Sequence, residues 1–173
     1  AGAKITTGTD NTAMGADALK NVTTTNNSTA FGKGALLANT AEGNTAVGKD
    51  SQLATTTGYR NVSMGKESLM TNTTGDQNVA IGNNALELST TAENNTAIGY
   101  NALNATTTGS TNVAVGSQTL AANTTASDNT GVGYAVLLVN TTGANNTGVG
   151  VNSLQANTTA SENVAVGKNT MLA

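Results

Sequence analysis

No cysteine, histidine, proline or tryptophan occurs in these 173 residues, and each absence closes off an explanation. Without histidine and cysteine, the commonest general base, the thiol nucleophile and most transition-metal ligand sets are missing. Without cysteine there is no disulfide, so stability has to come from stacking and backbone pairing, and the redox compartment leaves no mark. Low hydrophobicity usually accompanies disorder, but disorder also brings charge and proline; here charged residues make up 10% and proline is absent. No apolar run approaches the ~20 residues of a membrane-spanning helix, so no membrane insertion is expected. A net charge of −3 gives no electrostatic case for nucleic acid. Glycine recurs singly rather than in a phosphate-cradling cluster, and the Gly-Gly-x-Gly-x-Asp calcium repeat is absent. The expectation is no cofactor, no metal site and no enzymatic activity.

What the sequence does have is a repeat. Threonine and asparagine supply about a third of the chain, and they recur in one motif: Asn, Thr or Val, a small residue, an apolar residue, Gly, then Leu four positions on. Its glycines are Gly15, Gly32, Gly48, Gly65, Gly82, Gly99, Gly116, Gly133, Gly150 and Gly167; eight of the nine intervals are 17 residues and one is 16. A fixed short period along a whole chain marks a stacked, quasi-one-dimensional solenoid. The fold expected is an all-β parallel β-roll of ten coils of about 17 residues, forming one repetitive segment over 1–173. The pattern is already running at Thr6-Thr7-Gly8 and still running at Met171-Leu172, with no atypical capping repeat, which suggests a piece of a longer chain.

Within a coil, the apolar residue before the motif glycine and the Thr or Val two places earlier share one face of an extended segment. The residue between them is Ala, Ser or Gly in all ten copies. That alternation predicts a greasy inner face and a narrow outer face open to close approach by another chain. The core is expected at Ile81, Leu86, Ile98, Leu103, Val115 and Leu120. A second strand is expected around each Leu, with Leu53 displaced one place by an insertion. Glycine suits the tight corners, where positive φ is needed. Asparagine tolerates such corners and bonds its own backbone. Asn78, Asn95, Asn112, Asn129, Asn146 and Asn163 should stack as an amide ladder, and the Thr-Thr pairs should stack likewise.

Each coil offers only about two large apolar side chains. Burial of one contributes ~1.5–3 kcal/mol, whereas ordering each residue costs ~1 kcal/mol or more. A second interface, and hence a homotrimer, is therefore expected, with a thin monomeric roll as the alternative.

Carboxylates occur about once per coil at two places: Asp17, Asp50 and Glu67 after the glycine, and Asp10, Glu42, Asp76, Glu93, Asp128 and Glu162 before the asparagine. They read as solvated surface, since catalytic pairs would form only through stacking. Tyr59, Tyr100 and Tyr134 fall at loop or post-glycine positions and are candidates for a carbohydrate-binding strip. Asn-x-Thr sequons occur at Asn72, Asn104, Asn123, Asn140 and Asn157. They are candidate glycosylation sites, although ten copies of an Asn/Thr-rich unit generate sequons without any role for sugar.

Val79-Ala80-Ile81-Gly82, Val113-Ala114-Val115-Gly116 and Val164-Ala165-Val166-Gly167 resemble the core motif of trimeric autotransporter adhesin head repeats. The Asn-Thr-Ala-Val-Gly, Ala-Leu and Asn-Thr-Thr-Gly elements are similar to repeats of phage tail fibres and other bacterial surface fibres. The resemblance covers essentially the whole chain and implies a left-handed, trimeric parallel β-roll with two strands per coil. Two departures are a longer Thr-Thr loop and Thr at Thr12, Thr29, Thr45, Thr96, Thr130 and Thr147 where the family has Val. The function implied is a non-enzymatic shaft or head of an extracellular fibre, on a cell surface or virion, with a host-surface glycan or protein as partner. A self-assembling filament and an ice-binding solenoid are the alternatives.

Overall fold

The computed structural model describes residues 1–172. It is an all-β solenoid whose ten three-residue strands form one parallel sheet in sequence order. The strands are β1 (Thr12–Met14), β2 (Thr29–Phe31), β3 (Thr45–Val47), β4 (Val62–Met64), β5 (Val79–Ile81), β6 (Thr96–Ile98), β7 (Val113–Val115), β8 (Thr130–Val132), β9 (Thr147–Val149) and β10 (Val164–Val166). Each motif position lies beside its counterpart in the next coil: Thr96 pairs with Val113, Ala97 with Ala114 and Ile98 with Val115. The repeat period is thus converted directly into strand register.

The strands face the opposite way from the sequence expectation. The small residue points inward: Ala30, Ala46, Ala80, Ala97 and Ala114 have no exposed surface. The large residues around it point outward. Ile81 and Val115 are half-buried and Ile98 is 37% exposed, whereas Leu86, Leu103 and Leu120 are fully buried. The inner row consists of small residues because the coil is thin. A Cβ added to Gly131 would lie 2.5 Å from Thr119 Cγ2, and one added to Gly148 would lie 2.5 Å from Val136 Cγ1.

Those two glycines expose a packing rule. The residue before the core Leu faces the centre of the next coil's strand, twelve residues on. Where that residue grows from Ala to Thr119 or Val136, the facing residue shrinks from Ala to Gly131 or Gly148. Where Ser51 occupies the position, Ser63 faces it and the two hydroxyls hydrogen-bond.

The segment around each Leu is not a second strand. Ala102 and Leu103 are adjacent and both fully buried, which an extended strand forbids because neighbouring side chains alternate. The backbone achieves this with positive φ at every second residue, +55° at Asn101 and +51° at Leu103. All eight leucines of the row, and Gln52 with them, have φ between +48° and +54°. That conformation costs an L-residue roughly 1–2 kcal/mol, and complete burial of a leucine contributes about 1.5–3 kcal/mol. The segment still pairs between coils: Leu103 N–H donates to Thr119 O at 3.1 Å and Asn101 N–H to Asn83 O at 3.1 Å.

Gln52, not Leu53, holds the leucine position of its coil, so that coil contains no insertion. The Gln52 side chain is fully buried, and its Nε2 donates to Thr45 O at 2.9 Å and Ser63 Oγ at 2.9 Å. With Ser51 and Ser68 it forms a polar layer that splits the core into two apolar clusters. The missing residue of the 16-residue interval belongs to the loop from Asn39 to Asn44, which takes five steps where Asn72 to Asn78 takes six.

The packing rule is testable by a double-mutant cycle. Gly131→Ala should lower the unfolding free energy by about 1–3 kcal/mol through overpacking. Adding Thr119→Ala, which recreates the Ala102–Ala114 arrangement, should restore most of it; additive losses in chemical denaturation would refute the rule.

Candidate functional site

Two surfaces and one internal spine emerge from this geometry. The spine is the stack of motif asparagines. Asn44, Asn61, Asn78, Asn95, Asn112, Asn129 and Asn146 are buried, and Asn163 is half-buried. The Asn95 side-chain carbonyl accepts the backbone N–H of Asn112 at 2.9 Å and its side-chain amide at 3.1 Å. The Asn112 amide in turn donates across the coil to Ala126 O at 2.9 Å. The same three-way bonding recurs at Asn78, Asn95 and Asn146. Buried polar backbone that no sheet partner reaches is thereby satisfied.

The sequon asparagines have a parallel role. Asn72, Asn123 and Asn140 are fully buried. Asn72 Oδ1 accepts from Gly75 N–H at 3.1 Å while Nδ2 donates to Gly75 O at 3.0 Å, closing the loop corner. Half-buried Asn157 donates to Asn140 Oδ1 at 2.9 Å. Asn104 belongs to a different row and donates to Asn84 O and to Glu87 Oε2. In the folded coil these amides are engaged by protein, and the three buried ones are closed to a glycan.

The first threonine of each pair is bound to the stack: Thr73, Thr90, Thr107, Thr124 and Thr141 each donate Oγ1 to the carbonyl of the equivalent threonine one coil on, at 3.0–3.2 Å. The second threonines (Thr74, Thr91, Thr108, Thr125, Thr142) form an exposed row.

The larger surface is the outer face of the sheet. Its row before the corner glycine contains Met14 (59% exposed), Phe31, Met64, Ile98, Val132 and Val166. The companion row two residues earlier is Thr or Val throughout. The narrow Ala/Ser/Gly row is inside the coil, so it is closed to another chain, and the outer face of the sheet is the apolar one. The sequence showed the alternation without showing which side was in. The one cue was the size constraint: the inner position never exceeds Ala or Ser while the outer one varies from Val to Phe.

Ionisable groups lie outside this face and outside the core. Lys20–Asp17, Lys49–Asp50 and Lys66–Glu67 are ion pairs at 3.0–3.1 Å along the row that follows the glycines. The hydrogen bond from Lys20 holds the Asp17 carboxyl below its ordinary value, and the hydrogen bond to Asp50 raises that of Lys49. Asp10, Glu42, Glu93, Asp128 and Glu162 are exposed on the loop side and Asp76 is half-buried there. Among the described residues no cluster of three acidic side chains is arranged to hold a metal ion. Tyr59, Tyr100 and Tyr134 are all exposed, but Tyr59 lies on the loop side while Tyr100 and Tyr134 follow the corner glycines, so they do not form one strip.

No protein-family model matches the chain, and no curated protein or solved structure matches it.

Asn112→Ala should destabilise by about 1–3 kcal/mol, since it leaves the buried Asn129 N–H without a partner and Ala126 O with the Asn123 amide alone. Asn112→Asp keeps the acceptor but buries a charge, so its loss should shrink as pH falls and the acid protonates into a donor. Equal effects at pH 3 and pH 7 would count against the spine. For the unaltered chain, the absence of histidine and cysteine predicts a melting temperature flat between about pH 5 and 8. The depressed Asp17 value makes its pair a stabilising contact above the unfolded value of 3.8 that is lost as pH falls through the lower folded one.

Proposed function

We propose that the chain is a non-enzymatic structural segment of an extracellular fibre, the shaft or head of a phage tail fibre or bacterial surface adhesin, and that it works as a homotrimer. The supporting observation is the exposed apolar outer face of a ten-strand parallel sheet. Parallel sheets are almost always covered on both faces. Here the coil interior covers one face and nothing among the described residues covers the other. A contiguous apolar band of this kind marks an association surface. Three chains running in the same direction around a three-fold axis bring equivalent rows together, Ile98 against Ile98 and Val132 against Val132, with each coil repeating the contact. In this reading the trimer contact lies on the Val/Ile/Met rows. At ~4.8 Å per coil the ten coils span roughly 45–50 Å, and further coils would lengthen the rod without new contacts. A rod of three identical chains supplies reach and multivalent attachment to a host-surface glycan or protein.

Light scattering after size exclusion should give about three times the 17.1 kDa chain mass. The pair Ile98→Asp and Val132→Asp, both outward-facing, should reduce that mass to a monomer while leaving the coil folded. A monomeric unaltered chain would sink the trimer; the exposed Thr74–Thr142 row would then favour ice binding, measured as thermal hysteresis.

A further inference from the structure

The structure departs from its own period at one place on the outside, and that place is a notch. Between the second and fourth coils, Asn27, Ala41, Glu42, Gly43, Thr57, Tyr59 and Arg60 surround an open hollow of about 440 Å³. Two local changes create it. The shortened loop turns its corner early: Asn39 bonds the backbone of Ala41, two residues on, at 2.8 and 3.2 Å, where Asn72 bonds Gly75, three residues on. The stacked rows that cross the loop are also reduced here. Ala41 holds the place that Gly75 holds two coils on, so this coil contributes no residue to the row of exposed second threonines. Gly43 stands in the row of Asn27, Arg60, Gln77 and Asn94, where its neighbours carry long polar side chains.

The walls of the hollow are chemically specific. Arg60 is the only arginine in the sequence, and its guanidinium lies 5.4 Å from the centroid of the Tyr59 ring. None of the three ion pairs among the described residues uses Arg60 or Glu42. Glu42 Oε1 accepts only a 3.3 Å bond from Asn26. Tyr59 is held at its backbone, where its N–H donates to Asp76 Oδ1 at 2.9 Å. The hollow therefore combines an aromatic side chain, one fan of donors, one carboxylate acceptor, an amide and a hydroxyl, with charges that cancel.

We infer that this notch is a saccharide-binding site that takes a neutral hexose ring or its disaccharide. Hydroxyl groups donate and accept together, which suits a hollow lined by both a guanidinium and a carboxylate. A pyranose also carries an apolar C–H face that an aromatic ring can cover, and pockets of this volume take ligands of that size. The notch lies in loops, outside β3 and β4. The inference deepens the attachment role proposed above and rests on it.

Saturation-transfer NMR of the 173-residue chain with a panel of methyl hexopyranosides and hexose disaccharides tests it. At least one panel member should receive saturation, strongest on its ring C–H protons. Tyr59→Ala and Arg60→Ala should each weaken that binding about tenfold. Gly43→Asn should abolish it by filling the floor. Asn27, Asn94 and Asn145 hold the same row position at φ +55° to +58°, so this variant should melt with the unaltered chain. No transfer to any sugar, or transfer that survives Gly43→Asn, overturns the site. Light scattering on the same samples separates this from the fibre reading: a trimer that binds no sugar loses only the notch, and a monomer that binds loses only the trimer.

Discussion

Everything in this molecule hangs on the bond between one coil's buried asparagine and the next coil's backbone. A 17-residue coil with three residues of strand leaves most of its backbone outside regular sheet pairing, and much of that backbone is buried. An unpaired buried amide or carbonyl costs on the order of 1–3 kcal/mol, and there would be several per coil. The motif asparagine removes that cost in two directions, accepting along the axis and donating across the coil. It also fixes the axial register, because Oδ1 of one coil meets N–H of only the equivalent residue in the next. The ladder of strand triplets is short because the asparagine does much of the work that longer strands would otherwise perform.

With backbone polarity settled, the interior is narrow enough to be filled by alanine and leucine. Its thinness forces the two less usual features of the fold. Adjacent Ala and Leu both face inward, so the chain adopts left-handed backbone at Leu. The inner strand row accepts at most Ala or Ser, and Gly where Thr119 or Val136 presses against it. The polar layer of Ser51, Gln52, Ser63 and Ser68 shows how much variation the stack tolerates: a core leucine is replaced by an amide once its donors meet carbonyl and hydroxyl partners. That layer and the shortened loop of the preceding coil sit beside each other, so the one break in the apolar core adjoins the one break in the outer rows.

A rod built this way meets the world through rows rather than clefts. Every outward position becomes a stripe, apolar on the sheet, polar on the loops and charged beside the corner glycines. Stripes favour association with other rods and repeated weak contacts. A discrete ligand needs an interruption, and the notch beside Tyr59 and Arg60 is the place where two stripes fail together.

The period, the ten stacked strands, parallel pairing in register and the stacked Asn and Thr rows were legible in the sequence, because equal spacing puts identical residues over one another whatever the cross-section of the coil. The leucine row was legible as core for the same reason. The direction of the strand triplet was not. Alternation says which residues share a face and is silent on which face is inside. Ile81, Ile98 and Val115 looked like core because they are large, and the tertiary structure put them outside because the space behind the strand holds only a methyl group. The leucine segment looked extended for a similar reason: left-handed backbone at Leu has no local signature and exists only because the closed coil demands two adjacent inward side chains. Gln52 could be placed by counting from Gly48, but its fitness for a core position came from carbonyls and hydroxyls that only folding brings together. Sequence determined what is stacked on what; the curvature of the closed coil decided what is inside.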